Sequence, residues 1–285
     1  MRVRRVEVGD VGLAVAEAGA GGRPLLLVHG FTGAKEDFTD FLDRLADLGW
    51  HAVAPDLRGH GASDHPAGQA AYSPETFVAD LLALADALAW RRFALVGHSM
   101  GGALGQRLAL DHPERVAALV LVSTFHGPLS LDPQLVEMGV AIVHHGGMPA
   151  LSAAQAARRD ADPAASAAYR RMADARPDHV ARLENKLLAC STDMWLAMAP
   201  RFLAWPDTLD ELRGLAMPVL VVVGSDDDAM LGQSERLAAA IPGCRLEVMA
   251  GVRHVPQIED PDRWWGLVVP FLEGVGRAMQ QDGPP

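Results

Sequence analysis

The chain has 285 residues, enough for one large α/β domain or two small ones. Hydrophobic residues make up 49% and charged residues 21%, as in an ordinary soluble globular protein, and the formal net charge is -11. Because nucleic-acid binding depends largely on Lys and Arg, this acidic balance argues against a nucleic-acid partner and favours a small molecule.

Cysteine count and apolar run length bound the class of protein further. Cys190 and Cys244 are too few for a disulfide framework or a cysteine-rich metal site. The basic N-terminus is interrupted by Glu7, Asp10 and Glu17, so it does not match a signal peptide. Since no segment approaches the roughly 18 consecutive apolar residues of a membrane span, we expect a soluble cytoplasmic protein.

Predicted strands begin at the N-terminus and recur along the chain. Residues 2–8 and 13–17 alternate well enough for a hairpin that turns at Gly9 and Asp10. Short apolar runs follow, each closed by Gly or a small polar residue, at 24–30, 51–56, 93–99, 117–123, 218–225 and 245–251. Their near-continuous Val and Leu predicts strands buried on both faces, as in a parallel sheet covered by helices.

Helical patterns separate these strands. One follows Lys35, and a second has Ser73 as a predicted N-cap and Pro74 at its first position. The apolar positions that define the two patterns are Phe38, Phe41, Leu42, Leu45 and Leu48 in the first, and Phe77, Leu81, Leu84 and Leu88 in the second. The alternation of strand and helix predicts an α/β fold with a doubly wound, mostly parallel sheet.

The alternation stops between His126 and Trp205. This span is rich in Ala and in helical pattern, and it lies between two predicted core strands. We therefore expect a helical cap at residues 126–205, inserted in a core domain made of residues 1–125 and 206–285. Met194, Trp195 and Met198 share one helical face, which either lines a substrate pocket or packs as ordinary helix core.

The segment Gly97-His98-Ser99-Met100-Gly101 stands between a predicted strand and a predicted helix. In that context G-x-S-x-G predicts a nucleophilic serine on a strained turn, whose neighbours must have minimal side chains. The alternative is a glycine-rich turn with a capping serine. With Ser99 at a helix N-terminus, the backbone N–H of Met100 is placed to stabilise an oxyanion.

A serine nucleophile needs a base, and the base needs an orienting partner. Asp226, Asp227 and Asp228 follow one predicted strand, and His254 follows the next. Taken singly, the three aspartates are also compatible with a solvated turn, and His254 with a surface histidine. Their chain order and their placement at strand ends predict that Ser99, one aspartate and His254 form a catalytic set.

A second oxyanion donor is expected after the strand at residues 24–30. Gly30 allows the chain to turn so that the N–H of Phe31 faces the serine. The adjacent His29 is predicted to be structural.

The sequence resembles the α/β-hydrolase superfamily over nearly its whole length. The motifs HGFTG, DLRGHGASD, GHSMGG, GSDD and AGVRHVPQIEDP, at residues 29–33, 56–64, 97–102, 224–227 and 250–261, occur in the order of that family. The resemblance implies that Asp227 is the acid, because the family places it three residues after the Gly that closes its strand. It also implies a serine hydrolase of carboxylic esters or lactones that uses Ser99, Asp227 and His254 with no cofactor and no metal.

Several alternatives within the family remain. Epoxide hydrolases and haloalkane dehalogenases have an aspartate at the position of Ser99, so they do not fit. Hydrolases of carbon–carbon bonds tend to have GPG after HG and Asn before the serine, where this chain has FTG and His98. The synthase of menaquinone biosynthesis, a lyase, is a closer rival, although it usually has an Arg at the position of Ala103. A binding module on a hydrolase scaffold is a further alternative.

Overall fold

The computed structural model describes residues 1–162, 170, 182 and 185–281. These residues form one eight-stranded sheet in the order β1-β2-β4-β3-β5-β6-β7-β8. Strand β1 pairs antiparallel with β2, and β2 with β4, while the other neighbours are parallel. The strands are β1 (Arg2–Val8), β2 (Val11–Ala18), β3 (Arg23–Val28), β4 (Trp50–Pro55), β5 (Phe93–His98), β6 (Val116–Val122), β7 (Val219–Gly224) and β8 (Arg245–Met249).

Helices cover both faces of this sheet. In the described part of the chain they are α1 (Thr39–Asp47), α2 (Pro74–Ala87), α3 (Met100–Asp111), α4 (Pro133–Ala161), α5 (Thr192–Met198), α6 (Leu209–Leu212), α7 (Leu231–Ala240), α8 (Pro256–Glu259) and α9 (Pro261–Gln281). Apolar side chains of α1 and α9 pack on one face, and those of α2, α3 and α7 pack on the other. The predicted doubly wound α/β fold is confirmed.

Local sequence rules account for several of these boundaries. The N-terminal hairpin forms as predicted, with Val8 opposite Val11 across the turn. Helix α2 begins where predicted, because the Ser73 side chain accepts a hydrogen bond from the N–H of Thr76 and Pro74 follows it. Each of these features depends on residues close together in the chain.

Strand β8 departs from the prediction of burial on both faces. Arg245 and Val248 are exposed, and Val248 keeps 43% of its accessible surface. Because β8 is the last strand of the sheet, it has a neighbour on one side and its polar residues alternate along it. The prediction is wrong for this strand and holds for β3 to β7, where burial is nearly continuous.

Between β6 and β7 the regular secondary structure of the described residues is helical. They include α4, which bends at Gly147 (φ 63°), the two short helices α5 and α6, and a 3-10 segment at Ala199–Ala204. Residues 163–169, 171–181 and 183–184 of the predicted cap lie outside the described part of the chain. None of the described helices has the length and apolar character needed to cross a membrane.

Two buried polar side chains fix the loops that follow β3 and β4. Asp56 is fully buried and accepts hydrogen bonds from the backbone N–H of Lys35 at 2.7 Å and from its Nζ at 2.8 Å. His29 Nε2 accepts a hydrogen bond from the N–H of Leu57 at 3.0 Å. Burial lowers the pKa of His29, which keeps the ring neutral and able to accept. His29 therefore has the structural contacts that the sequence predicts.

A buried carboxylate ties the N-terminal hairpin to β4. Glu17 accepts hydrogen bonds from Arg2 at 2.6 Å, from Arg4 at 2.7 Å and from His51 at 3.1 Å. Burial by itself raises the pKa of Glu17, but the bonds from Arg4, His51 and Arg2 outweigh it and lower the pKa to about 2. The charged form of Glu17 therefore stabilises this end of the sheet.

We expect Glu17→Gln to lower the free energy of unfolding at neutral pH by about 2 kcal/mol, the usual loss when hydrogen bonds to a charged group are removed. Because the folded-state pKa lies below the ordinary value of 4.5, the stabilisation is complete above that pH and is lost as the pH falls toward 2. Urea unfolding at neutral and acidic pH measures both effects. Glu7→Gln, at an exposed ion pair with Arg5, is the matched control and should change stability by less than about 1 kcal/mol. A loss that is equal at both pH values would contradict this account of Glu17.

Candidate active site

Ser99 lies on the turn between β5 and α3 in a backbone conformation that few residues adopt. Its φ is 51° and its ψ is −118°, which costs a residue with a Cβ about 1–3 kcal/mol. The turn is held by a hydrogen bond from Ser99 N–H to the Val122 carbonyl at 2.9 Å. The Ser99 carbonyl accepts hydrogen bonds from the N–H of Gly102 at 3.0 Å and from Thr124 Oγ1 at 2.7 Å. The surrounding structure therefore compensates for the strain.

Three glycines allow the backbone to close around this turn. A Cβ at Gly97 would lie 2.4 Å from the carbonyl oxygen of Gly101, and one at Gly101 would lie 2.3 Å from that of Val28. A Cβ at Gly102 would lie 2.6 Å from Thr124 Oγ1. These distances are shorter than any side chain tolerates, so the glycines are required by close packing of the turn against β3 and the end of β6.

The structure brings Ser99, His254 and Asp227 together from three strand ends. His254 Nε2 lies 3.1 Å from Ser99 Oγ, and His254 Nδ1 lies 2.9 Å from Asp227 Oδ2. Asp227 is buried, whereas the His254 side chain keeps 41% of its accessible surface. With the carboxylate as acceptor, Nδ1–H donates and the lone pair of Nε2 faces the serine hydroxyl. The imidazole is thus oriented to take a proton from Ser99 Oγ.

The consecutive aspartates have different surroundings. Asp226 is exposed, and its Oδ1 accepts a hydrogen bond from Ser225 Oγ at 2.6 Å. Asp228 is exposed as well. Of the three, Asp227 is the one whose carboxylate reaches His254.

The loop after β3 lies directly against the serine. A Cβ at Gly30 would come within 3.1 Å of Ser99 Cβ, so a larger residue would push this loop away from the turn. In the part of the chain that the structure describes, the N–H groups of Phe31 and Met100 have no hydrogen-bond acceptor. Two such donors beside a serine hydroxyl are suited to bind a negatively charged oxygen.

The three predicted pocket residues are all buried on α5 but contact different neighbours. The Trp195 ring lies 6.1 Å from the ring of Phe31 and packs against Gly139 of α4. Met194 packs against Gly59 of the loop after β4, and Met198 Sδ lies 3.9 Å from Arg201 Nη1. Trp195 thus packs near the ring of Phe31 on the loop next to Ser99, and the pocket role of all three stays a prediction.

Sequence reasoning missed two side chains that hold the site. Thr124 is fully buried and donates to the Ser99 carbonyl, as described above. His98 is buried, and its Nε2 lies 2.7 Å from the backbone carbonyl of His254. The position of His98 next to Ser99 is visible in the sequence, but its contact spans 156 residues. The described residues contain no group of three or more His, Cys, Asp or Glu side chains arranged to hold a metal ion.

A serine on a strained strand-to-helix turn, with a histidine and an aspartate at later strand ends, defines the class of α/β proteins that have a nucleophile elbow. The family model for the alpha/beta hydrolase fold matches residues 23–261, which is most of the chain. The chain belongs to this family of enzymes.

Relatives of known name have diverse activities. The Bacillus subtilis (strain 168) protein assigned as a 2-succinyl-6-hydroxy-2,4-cyclohexadiene-1-carboxylate synthase is 27% identical over 286 residues, which cover 95% of this chain and 96% of that protein. Epoxide hydrolase A of Mycobacterium tuberculosis (strain ATCC 25618 / H37Rv) is 28% identical over 313 residues, which cover 95% of this chain and 97% of that protein. The crystal structure of the enol-lactonase from Burkholderia xenovorans LB400 superposes with a TM-score of 0.80 at 25% identity, covering 94% of this chain and 99% of that one.

We expect Gly97→Ala to destabilise the protein by about 3 kcal/mol, because the new methyl group would meet backbone that cannot rotate away. Gly266→Ala, in α9 where nothing lies within 4 Å of the added Cβ, is the control. It should change stability by less than about 1 kcal/mol, in the stabilising direction, because Ala favours helix over Gly. Chemical unfolding of both variants makes the comparison, and equal stabilities would refute the close-packing argument.

Proposed function

We propose that the protein is a serine hydrolase that cleaves a carboxylic ester or lactone through an acyl-enzyme intermediate. The observation that carries this proposal is the continuous hydrogen-bonded series from Ser99 Oγ through His254 to Asp227, at 3.1 Å and 2.9 Å. A serine hydroxyl becomes an effective nucleophile when an adjacent base takes its proton and a third group orients that base. In this proposal Ser99, His254 and Asp227 are the catalytic residues.

In the first half of the reaction, Ser99 Oγ attacks the carbonyl carbon while His254 Nε2 accepts the hydroxyl proton. Negative charge moves to the carbonyl oxygen, where the N–H groups of Phe31 and Met100 stabilise it; one such donor is typically worth about 3–4 kcal/mol in the transition state. His254 then passes the proton to the departing alcohol oxygen as the carbon–oxygen bond breaks. The acyl group remains on Ser99.

In the second half, His254 removes a proton from water, and the resulting hydroxide attacks the acyl carbon. The tetrahedral intermediate collapses, the acid leaves, and the proton returns to Ser99 Oγ. With a lactone, the alcohol and acid stay in one molecule and the product is a hydroxy acid. Asp227 keeps the imidazole oriented in both halves. None of these steps uses a metal or a cofactor.

The proposal assigns residues 126–205 as a cap over this site and a small-molecule ester or lactone as its substrate. The ring of Phe31 lies 6.1 Å from that of Trp195 and 4.9 Å from that of Phe202, which supports an apolar environment for the acyl group next to the oxyanion donors. The similarity to an enol-lactonase over nearly the full length supports the lactone form of the proposal.

A second candidate is a lyase that uses the same three residues as an acid–base set without water. The full-length similarity to the Bacillus subtilis synthase favours it. Ala103, where the resemblance described above leads us to expect an Arg, weighs against it. The lyase would eliminate a group from an unsaturated cyclic acid and would leave simple esters and lactones intact.

For the hydrolase, we expect Ser99→Ala to lower turnover of p-nitrophenyl esters and of lactones by about 10³-fold or more, because the acyl group then has no attachment point. Rates on a panel of esters and lactones, with acid release as the readout, measure this. Ser152→Ala, on α4, is the control and should retain full activity. Equal rates in the wild type and Ser99→Ala would refute the proposal, and elimination activity without ester turnover would support the lyase.

The three neighbouring aspartates give an internal comparison. We expect Asp227→Asn to lower kcat by about 10³–10⁴-fold, because Asn would favour the wrong imidazole tautomer, as in the serine-protease example. Asp226→Asn and Asp228→Asn should remain within about tenfold of the wild type, roughly 1.4 kcal/mol of barrier, because both residues are exposed and His254 Nδ1 is bonded to Asp227. Steady-state kinetics of the three variants decide the assignment, which fails if either neighbour is the more damaging change.

A further inference from the structure

His98 stands between the serine turn and the loop that carries His254. The residue is 5% exposed, and its Nε2 lies 2.7 Å from the backbone carbonyl oxygen of His254. Because a carbonyl oxygen can only accept, Nε2–H is the donor. The two imidazole rings are 5.0 Å apart between centroids. One side chain, adjacent to Ser99 in the chain, therefore contacts the backbone of the residue that faces Ser99 across the site.

His98 stays in one protonation state, so its hydrogen bond to the His254 carbonyl is retained at ordinary pH. Burial, together with the neighbouring His254, lowers the pKa of His98 to about 3, so the ring stays neutral at ordinary pH. The proton remains on Nε2, and Nδ1 is buried with no hydrogen-bond partner among the described residues. Nδ1 lies 3.0 Å from the position of a Cβ on Gly30, so the ring also fills the space beneath the loop after β3.

Two further hydrogen bonds hold the backbone of the loop that carries His254. The Glu259 carboxylate accepts hydrogen bonds from the N–H of Arg253 and from the N–H of Val255, each at 3.0 Å. Glu259 thus binds the N–H groups of the residues before and after His254, and His98 binds the carbonyl of His254, which lies in the same peptide group as the N–H of Val255. The side chain of His254 is partly exposed, so little packing holds the imidazole itself. Its position therefore depends on these contacts of the backbone.

We propose that His98 is a positioning residue, whose Nε2–H fixes the backbone of His254 so that the imidazole stays in reach of both Ser99 and Asp227. This inference rests on the proposed serine-hydrolase function. His98 exchanges no proton with substrate. It acts through geometry, and displacement of a catalytic group by about 1 Å can cost on the order of 10²-fold in rate.

The test compares His98→Met, which keeps a similar length without a donor, with His98→Gln, whose amide nitrogen can replace Nε2 as donor. We expect His98→Met to lower kcat for the best ester or lactone by about 10–100-fold with KM changed less than about twofold. We expect His98→Gln to restore kcat to within about threefold of the wild type. Equal losses in the two variants would show a packing role, and no loss in either would also overturn the proposal.

A second measurement does not depend on turnover. The proton on His254 Nδ1, hydrogen-bonded to Asp227, is observable as a downfield signal by proton NMR. We expect this signal in the wild type and in His98→Gln, and a shifted or broadened signal in His98→Met. If His98→Met does not fold, His98→Asn, whose shorter amide cannot reach the carbonyl, replaces it. Absence of ester and lactone turnover in the wild type would refute the proposed function, whereas an unchanged signal in the variant without a reaching donor would refute the role of His98.

Discussion

The whole site depends on a backbone approach that side chains would prevent. The turn at Ser99 brings Gly97 against Gly101, and Gly101 against the carbonyl of Val28, at distances where no Cβ fits. This approach presses the N-terminus of α3 onto the end of β3, and so sets Ser99 beside the loop that contains Gly30 and Phe31. The strain at Ser99 persists because its N–H donates to the Val122 carbonyl of β6 and its carbonyl accepts from Thr124, which fix the turn on its other side.

The sheet supplies the rest of the arrangement. Because β3, β5, β7 and β8 are parallel, their carboxyl ends meet at one edge, and the loops that follow them carry Phe31, Ser99, Asp227 and His254. Buried polar contacts then hold individual loops, as Asp56 does for the segment at Lys35. A buried ion pair between Asp37 and Lys186 further ties the loop after β3 to the span between β6 and β7.

Much of this could be predicted from the sequence, and the reason differs between residues. Ser99 and its glycines match the G-x-S-x-G motif between a strand and a helix, and the strand ends before Asp227 and His254 follow from short apolar runs. Residues close together in the chain were therefore enough to predict these features. The exposure of β8 could not be predicted from its own residues, because it depends on the position of the strand in the sheet. The contacts of His98 and Thr124 depend on tertiary packing, which no spacing in the sequence encodes.

The buried histidines near the site differ from His254 in their burial and in their hydrogen-bond partners. His29 and His98 each use a ring nitrogen on the backbone, and burial lowers the pKa of both, so they stay neutral as fixed spacers. His60 is buried in the same way, with a pKa lowered to about 3. His254 differs because it is partly exposed, has a carboxylate on Nδ1 and directs Nε2 at a hydroxyl. An imidazole can act as a general base only where its free nitrogen faces the reacting group. In the proposed mechanism the buried histidines hold the backbone in place, and His254 is the group that moves the proton.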